Sequence, residues 1–322
     1  MSPALMAIAI AAAAPSALTT DVSIMTYNVH GLPWPFATGR QDALRAIGTR
    51  LAEMRIKGIQ PHLVLLQEAF TNDAKAIGVE AGYPFAVTGP AREDRSEIRP
   101  DLSQERYTRD SHWMKGEGDG TIEDSGLVIL SDYPVVDVQR TPYSRFACAG
   151  FDCLANKGIL LIKVAVPGLS EPLTIVDTHM NSRGASGVRR SRADLAFAWQ
   201  AVQLRDFVDA NVPSSGPSVL AGDLNVGTAG YRQSIIGSTN PALKGGIDAL
   251  RSALAGNAPI IDKPDAEAIA NKGKDWMFVR SGTETKLNLE EVAVPFGRDP
   301  KGKSLSDHLG YVSYFAVEEE AR

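Results

Sequence analysis

The apolar pattern of this chain predicts a mixed α/β fold, and two observations carry that reading. Short runs rich in Val, Ile and Leu, of strand length, alternate with stretches whose apolar residues recur every three to four positions. Nearly every such run also ends in, or is entered from, a cluster of polar residues. The segment "VSIMTYN" (22–28) is the first strand, and Leu44, Ile47, Leu51 and Met54 then mark one face of a helix. "HLVLLQE" (62–68) reads as a buried strand. Residues 90–121 are charged, Gly-bearing and poor in aliphatics, and predict a long surface loop. "GLVILS" (126–131), "GILLIKVAV" (158–166) and "LTIVDTHM" (173–180) are strands. Leu195, Ala198, Trp199 and Val202 predict a helix over about 190–210. "SVLAGDLN" (218–225) is a strand with a polar tip, residues 227–274 are mixed, and "DWMFVR" (275–280) and "LGYVSYFAV" (309–317) are the last strands. No repeat and no low-complexity linker follows residue 21.

Composition sets the class. Hydrophobic residues make up 44% and charged residues 22% of the 322, which is ordinary for a globular chain with a large core. The 33 Lys and Arg against 38 Asp and Glu argue against a protein held to nucleic acid mainly by a basic surface. That balance leaves room for an enzyme that meets phosphate through metal ions. Ala4 to Ala14 is an apolar run of signal-peptide length, too short to span a bilayer, with small residues after it. It lacks a preceding Lys or Arg and a clean A-x-A site, so residues 1–20 read as an export signal or a disordered extension, with export favoured. The two cysteines, Cys148 and Cys153, are joined or free by this reading; an exported chain can join them.

The polar tips gather chemistry. "IMTY" ends at Asn28, "LVLL" at Gln67-Glu68, "LTIV" at Asp177-Thr178-His179, and "SVLAG" at Asp223-Leu224-Asn225; the last strand is entered through Ser306-Asp307-His308. Each residue has a plain structural alternative: a turn asparagine, a helix-capping glutamate, a core histidine with satisfied hydrogen bonds. Together they form a set of oxygen ligands suited to hard Mg²⁺, with histidines beside it for acid–base chemistry near neutral pH.

The motifs "TYNVHG", "LQEAF", "SGLVIL", "KGILLIKV", "DTHMNS", "AGDLNV" and "LSDHLGYV" occur in the order found in the endonuclease/exonuclease/phosphatase superfamily, and the chain resembles that superfamily from residue 24 to about 316. The resemblance implies one catalytic domain over 21–322, a four-layer α/β sandwich of two packed mixed β-sheets flanked by helices. It implies that Asn28 and Glu68 bind metal, with Asp223 and His308 also close to it. Asp223 and Asn225 would sit at the scissile phosphate, His308 would be the general base with Asp307 polarising the centre, and His179 would donate to a phosphoryl oxygen, oriented by Asp177. The implied cofactor is Mg²⁺, with Mn²⁺ or Co²⁺ as substitutes.

Within the superfamily, "LQEAFTND" with "AGYPFAVTG", and "CAGFDCLANKGILLIKV", resemble segments of sphingomyelinase C-type phosphodiesterases. On that likeness Asn72 is an accessory metal residue, and Lys157 lies near the phosphate with Asp152 beside it, rather than in a solvated turn. "GKDWMFVRSG" lacks the Trp-Cys-Asp-Arg element of inositol phosphate phosphatases, and Glu68 is followed by Ala-Phe, not by the Val-Arg of pancreatic-type deoxyribonucleases. The expected substrate is therefore a phospholipid or another phosphodiester, cleaved to release a phosphorylated headgroup. A nuclease or inositol phosphate phosphatase, with nucleic acid as partner in the first case, is the alternative, and a non-catalytic binding module ranks last. A secreted or periplasmic monomer with transient membrane contact is expected. The aromatic hairpin that such secreted enzymes often carry before the final Ser-Asp-His is absent, since "VAVPFGRDPKGKSLSDH" has one aromatic, Phe296; weaker action on intact bilayers follows. "HGLPWPF" (30–36) offers Trp34 and Phe36 as an interfacial anchor, although a proline-fixed loop packed on the core is the favoured reading.

Overall fold

The structure is a computed structural model that describes residues 19–118, 120–239 and 244–319. The expected export segment lies outside the described residues, except for Thr19 and Thr20, which already belong to the first strand. The first strands in chain order are β1 (Thr19–Asn28), β2 (Leu63–Gln67), β3 (Phe85–Thr88), β4 (Val128–Ser131), β5 (Val135–Pro142), β6 (Gly158–Val164) and β7 (Leu173–His179). After them come β8 (Ser218–Asp223), β9 (Ile247–Asp248), β10 (Ile260–Ile261), β11 (Asp275–Arg280), β12 (Thr285–Phe296) and β13 (Gly310–Glu319). The helices are α1 (Gln41–Ile56), α2 (Asn72–Glu80), α3 (Leu102–Arg109), α4 (Arg190–Asn211), α5 (Gly230–Thr239), α6 (Ala249–Ser252) and α7 (Lys263–Lys272).

Two mixed sheets pack face to face. One has the order β10-β12-β13-β1-β2-β4-β3 and the other β5-β6-β7-β8-β11-β9. The period-two alternation of each strand explains the layering. On β1, Val22 and Ile24 enter the core between the sheets, while Met25 and Tyr27 pack outward with Leu44, Ile47 and Leu51 of α1. On β2, Leu63 and Leu65 point inward and Val64 and Leu66 outward. The second sheet repeats the scheme: Leu160, Ile162, Ile175, Val219 and Met277 face the shared core, and Leu161, Val176 and Leu220 meet Phe197, Ala201 and Leu204 of α4. Strands covered on both faces read as unbroken apolar runs, which is why β2, β6, β7 and β8 stand out in the sequence.

Three parts of the sequence reading change. Residues 90–121 are not only loop: α3 forms there, started by a capping box between Asp101 and Gln104. This helix buries only Tyr107, whose ring meets Trp199 of α4 edge-on at 4.8 Å, so no apolar stripe announced it. Strands β3, β5 and β12 were not expected. β5 is an edge strand with exposed Val136 and Val138 and no continuous apolar run. β12 interleaves Asn288, Glu290 and Glu291 with its apolar residues, and is held by β10 on one side and β13 on the other. The 30–36 segment is not packed into the core, because Trp34 is 80% exposed. Cys148 and Cys153 are joined in a disulfide.

The register places the polar tips. β1 and β2 are parallel, with Asn28 opposite Gln67, so their C-terminal ends coincide. β7 and β8 are parallel in the other sheet, with His179 opposite Asp223. β11 runs antiparallel to β8, which sets its first residue, Asp275, opposite Asp223. β13 runs antiparallel to β1, so its entrance, carrying Ser306 to His308, lies beside the end of β1. Six strand ends thus meet at one edge of the sandwich.

Leu65 lies at the centre of the intersheet core and is fully buried. Leu65→Ala is expected to destabilise the protein by about 2–5 kcal/mol, through lost transfer energy and an unfilled cavity. A urea titration followed by circular dichroism should show an earlier midpoint; an unchanged midpoint would contradict the packing described.

Candidate active site

The carboxylate of Asp223 is the hub. It is buried, and its Oδ2 accepts from Asn28 Nδ2 at 3.1 Å, while Oδ1 accepts from the Asn225 backbone N–H at 3.0 Å. His179 Nε2 and His308 Nε2 each lie 3.6 Å from Oδ2. Asn28 Nδ2 also donates to Glu68 Oε1 at 2.9 Å, so one amide spans carboxylates from both sheets. Burial pushes the Glu68 carboxyl up, against the pull of the Asn28 hydrogen bond and Lys157. Asp223 is instead held well below the usual range: burial opposes ionisation, but His308, His179, Lys274 and Lys157 outweigh it.

The backbone is bent to make this possible. His30, Glu68 and Asn225 all adopt left-handed conformations, with φ of 50°, 56° and 50°. Non-glycine residues occupy that region rarely, and here each one turns the chain just past a strand end. Gly222, at φ 138°, precedes Asp223; a Cβ there would lie 2.0 Å from the Thr178 carbonyl oxygen, so only glycine lets β8 approach β7 this closely.

His308 is held by a residue the sequence reading did not assign. Its Nδ1 donates to the Asp275 carboxylate at 2.8 Å. With Nδ1 carrying that proton, neutral His308 presents Nε2 as the basic nitrogen, facing Asp223. Burial pulls the imidazole down, but Asp275 and Asp223 outweigh it and raise its pKa to about 9. Asp307 does not hold His308. It turns away, 58% exposed at its side chain, and accepts from His30 Nδ1 at 2.9 Å. The chain bends through Leu305–His308 before β13 begins, which turns Asp307 toward His30 and His308 toward Asp275. The sequence signal for Asp275 was a polar tip like the others, since it opens the run "DWMFVR"; the antiparallel pairing with the strand ending in Asp223 then sets it at the same sheet edge.

Asp177 does not orient His179 either. Its Oδ1 accepts from Gln67 Nε2 at 2.8 Å deep between the sheets, and burial pushes its carboxyl well above the normal range. His179 Nδ1 is buried with no hydrogen-bond partner among the described residues. Its Nε2 accepts from Lys157 Nζ at 3.1 Å, and burial with the nearby Lys157 charge lowers its pKa to about 3. Lys157 is buried, not solvated; it pairs with Asp152 and donates to the Met180 carbonyl at 3.1 Å. Asp152 in turn accepts from the Ser182 hydroxyl at 2.6 Å, which ties the disulfide-closed loop to the end of β7. Asn225 Nδ2 donates to the same Met180 carbonyl at 3.0 Å. Asn72 is apart from these groups, exposed at the start of α2.

The donor set fits a divalent cation. Ligand atoms of Glu68, His179 and Asp223 lie within 4.8 Å of one another, and so do those of Asp223, Asp275 and His308. Glu68 Oε2 is buried without a hydrogen-bond partner among the described residues, with His30 Nδ1 4.0 Å away, and its free lone pairs suit a cation ligand. Asn28 faces the carboxylates with its nitrogen, so it spaces them in this state. The groups floor a cleft of about 180 Å³ whose walls include Leu32, Phe36, Phe70, Ile122 and Phe151.

If Asp275 sets the basicity of His308, Asp275→Asn should lower both its pKa and the rate. Neutral imidazole is then present at lower pH, so the acidic limb of the pH–rate profile should move to lower pH while kcat falls. Asp307→Asn should leave that limb near the wild-type position. An unshifted limb in Asp275→Asn would refute the pairing.

Solved structures share the fold. Sphingomyelinase C from Streptomyces griseocarneus matches with a TM-score of 0.62 and 21% identity, covering 92% of this chain and 99% of that one. A Staphylococcus aureus beta toxin variant with bound magnesium ions matches at 0.61 and 21%, with the same coverage. D. rerio TDP2 complexed with single-strand DNA product matches at 0.57 and 16%, covering 92% and 99%. No curated protein matches the chain. The family model matches residues 25–308, which hold every strand end described above, and the chain belongs to the Endonuclease/Exonuclease/phosphatase family.

Proposed function

We propose that this protein is a divalent-metal-dependent phosphodiesterase of the sphingomyelinase or phospholipase C kind, releasing a phosphorylated headgroup from a choline-type sphingolipid. The observation that carries the phosphodiesterase reading is the convergence of a positioned base, His308, and a buried cation, Lys157, on the carboxylates of Glu68 and Asp223. Glu68 and Asp223 would hold Mg²⁺, which neutralises charge developing on the phosphoryl and leaving oxygens. Neutral His308 takes a proton from water through Nε2, while Asp275 keeps its Nδ1 protonated and its ring oriented. Lys157, with His179 beside it, faces a non-bridging oxygen of the phosphate. The water oxygen joins phosphorus as its proton passes to His308 Nε2, and the bond to the lipid oxygen breaks. That oxygen takes up a proton from solvent to leave as the alcohol, and the headgroup is released as its phosphate monoester. The apolar cleft wall formed by Leu32, Phe36, Phe70, Ile122 and Phe151 supports an apolar leaving group over a nucleotide. The Cys148–Cys153 disulfide supports an oxidising compartment and so export. Among the described residues no helix is long and apolar enough to cross a membrane.

Metal removal should abolish turnover, and Glu68→Gln should raise the metal concentration needed for half-maximal rate while lowering kcat. Full activity in excess chelator would defeat the metal reading. His308→Ala should lose about 10²–10⁴-fold in kcat with the fold intact. The substrate is tested by kcat/KM on detergent-dispersed sphingomyelin against that on DNA, at one metal and salt concentration. The ratio is expected to favour sphingomyelin; a ratio favouring DNA, with a steep loss at higher salt, would replace the lipid reading with a nuclease.

A further inference from the structure

Several large apolar side chains stand in solvent near one mouth. Trp34 is 80% exposed, Trp113 69% and Met114 73%, while Phe36 and Phe151 are 43% and 37% exposed. Their segments are distant in sequence and meet in space. The Phe36 and Phe151 rings lie 6.1 Å apart, edge to face, and Lys115, next to Met114, sets its Nζ 5.5 Å from the Phe151 ring centre. Phe36 and Phe151 also line the cleft, so apolar surface runs from the two loop tips down toward Lys157 and His179.

The charge around these residues is also ordered. Lys115 is exposed, and so are Arg189 and Arg190, which follow Gly187 at the edge of the Phe151 ring. Three of the nearby carboxylates are engaged within the protein, Glu117 with Arg192, Asp152 with Lys157, and Asp194 with Arg183 and Arg232, while Glu123 lines the cleft and Asp110 is exposed at the end of α3. Around the Phe151 ring the rim thus offers Lys115, Arg189 and Arg190 to a partner although the whole chain carries a net charge of -5.

We infer that a lipid bilayer with anionic headgroups docks on this rim, through Trp34 on one side of the mouth and Trp113 with Met114 on the other, Lys115 and Arg189 meeting the headgroups. The inference rests on the phosphodiesterase reading for the orientation of the substrate. Exposed tryptophan beside Lys and Arg is the pattern of shallow interfacial insertion, where an amphipathic ring sits at headgroup level and cations meet acidic lipid. A single nucleic-acid strand would want aromatic rings in succession along one cationic groove. Here the rings stand on separate loops flanking a cleft whose wall is partly aliphatic. A partner must match apolar loop tips and a phosphate-facing floor through one continuous surface, and a phospholipid in its bilayer has both parts in that order. Phe296, the one aromatic before the final Ser-Asp-His, is buried against Tyr27 and takes no part.

Sedimentation with vesicles, in excess chelator so that no lipid is consumed, tests this directly. Vesicles of phosphatidylcholine mixed with phosphatidylserine should carry wild-type protein down more strongly than phosphatidylcholine alone. Trp34→Ala/Trp113→Ala should weaken that partitioning at least about tenfold, as loss of two buried rings requires. Its turnover of soluble bis-p-nitrophenyl phosphate should stay at the wild-type level, since neither tryptophan lines the cleft. Lys115→Ala/Arg189→Ala should erase the preference for phosphatidylserine. Failure of the wild type to sediment, equal sedimentation of the double tryptophan variant, or displacement from vesicles by single-stranded DNA would overturn the inference. Hydrolysis of detergent-dispersed sphingomyelin is measured separately: vesicle binding without that hydrolysis counts against the substrate alone and leaves the docking surface standing.

Discussion

The Asn28 side chain, donating at once to Glu68 and Asp223, is the contact through which the two sheets share one site. Hydrogen bonds to charged groups contribute about 1.5–3 kcal/mol each, which is small beside the apolar core. Their geometry is nevertheless demanding, because Asn28 and Glu68 ride on one sheet and Asp223 on the other. The intersheet packing of Ile24, Leu65, Ile175 and Val219 fixes the spacing that the amide then bridges. Ser306 adds a strut by donating from its hydroxyl to the Asn28 carbonyl at 2.7 Å, and it accepts from the His308 backbone N–H. The last strand is thereby keyed to the first, and His308 to the carboxylates.

Burial then separates groups of the same kind. Glu68 and Asp223 are both enclosed, yet Glu68 is pushed up and Asp223 held down, because two imidazoles and two lysines act on Asp223. The histidines diverge likewise. His308, facing two carboxylates, is raised to about 9, whereas His179, beside Lys157, is lowered to about 3. Titratable neighbours driven apart in this way hold two imidazoles in different protonation states at the same pH. A divalent cation adds positive charge beside Asp223 and acts on these balances in a known direction, favouring ionised Glu68 and neutral His308.

The loop closed by Cys148 and Cys153 joins site to rim. It carries Asp152 inward, where it pairs with Lys157 and accepts from Ser182, and Phe151 outward to the cleft wall. Gly150 permits the crossing: a Cβ there would lie 1.8 Å from the Ser186 carbonyl oxygen, at a φ of 60°. The same short segment thus positions a group at the cleft floor and an aromatic ring at the mouth.

The sequence by itself determined the fold class and most of the site, because buried strands between two layers read as unbroken apolar runs and their polar ends as abrupt breaks. Asn28, Glu68, His179, Asp223, Asn225 and His308 were legible for that reason, and Lys157 through motif likeness. Which polar residue pairs with which was decided only by the tertiary structure. Adjacent in sequence, Asp307 and His308 part at a bend in the chain, Asp307 toward His30; Asp275, thirty-three residues from His308, takes the place beside the imidazole. Asp177, two residues from His179, is turned to Gln67 across the intersheet core. The exposure of Trp34 was equally unreadable: an aromatic between prolines looks the same whether the core covers it or solvent does. Hydrophobic periodicity reports which face of an element is covered, whereas partners across sheets and loops follow from register and packing, which no local window contains.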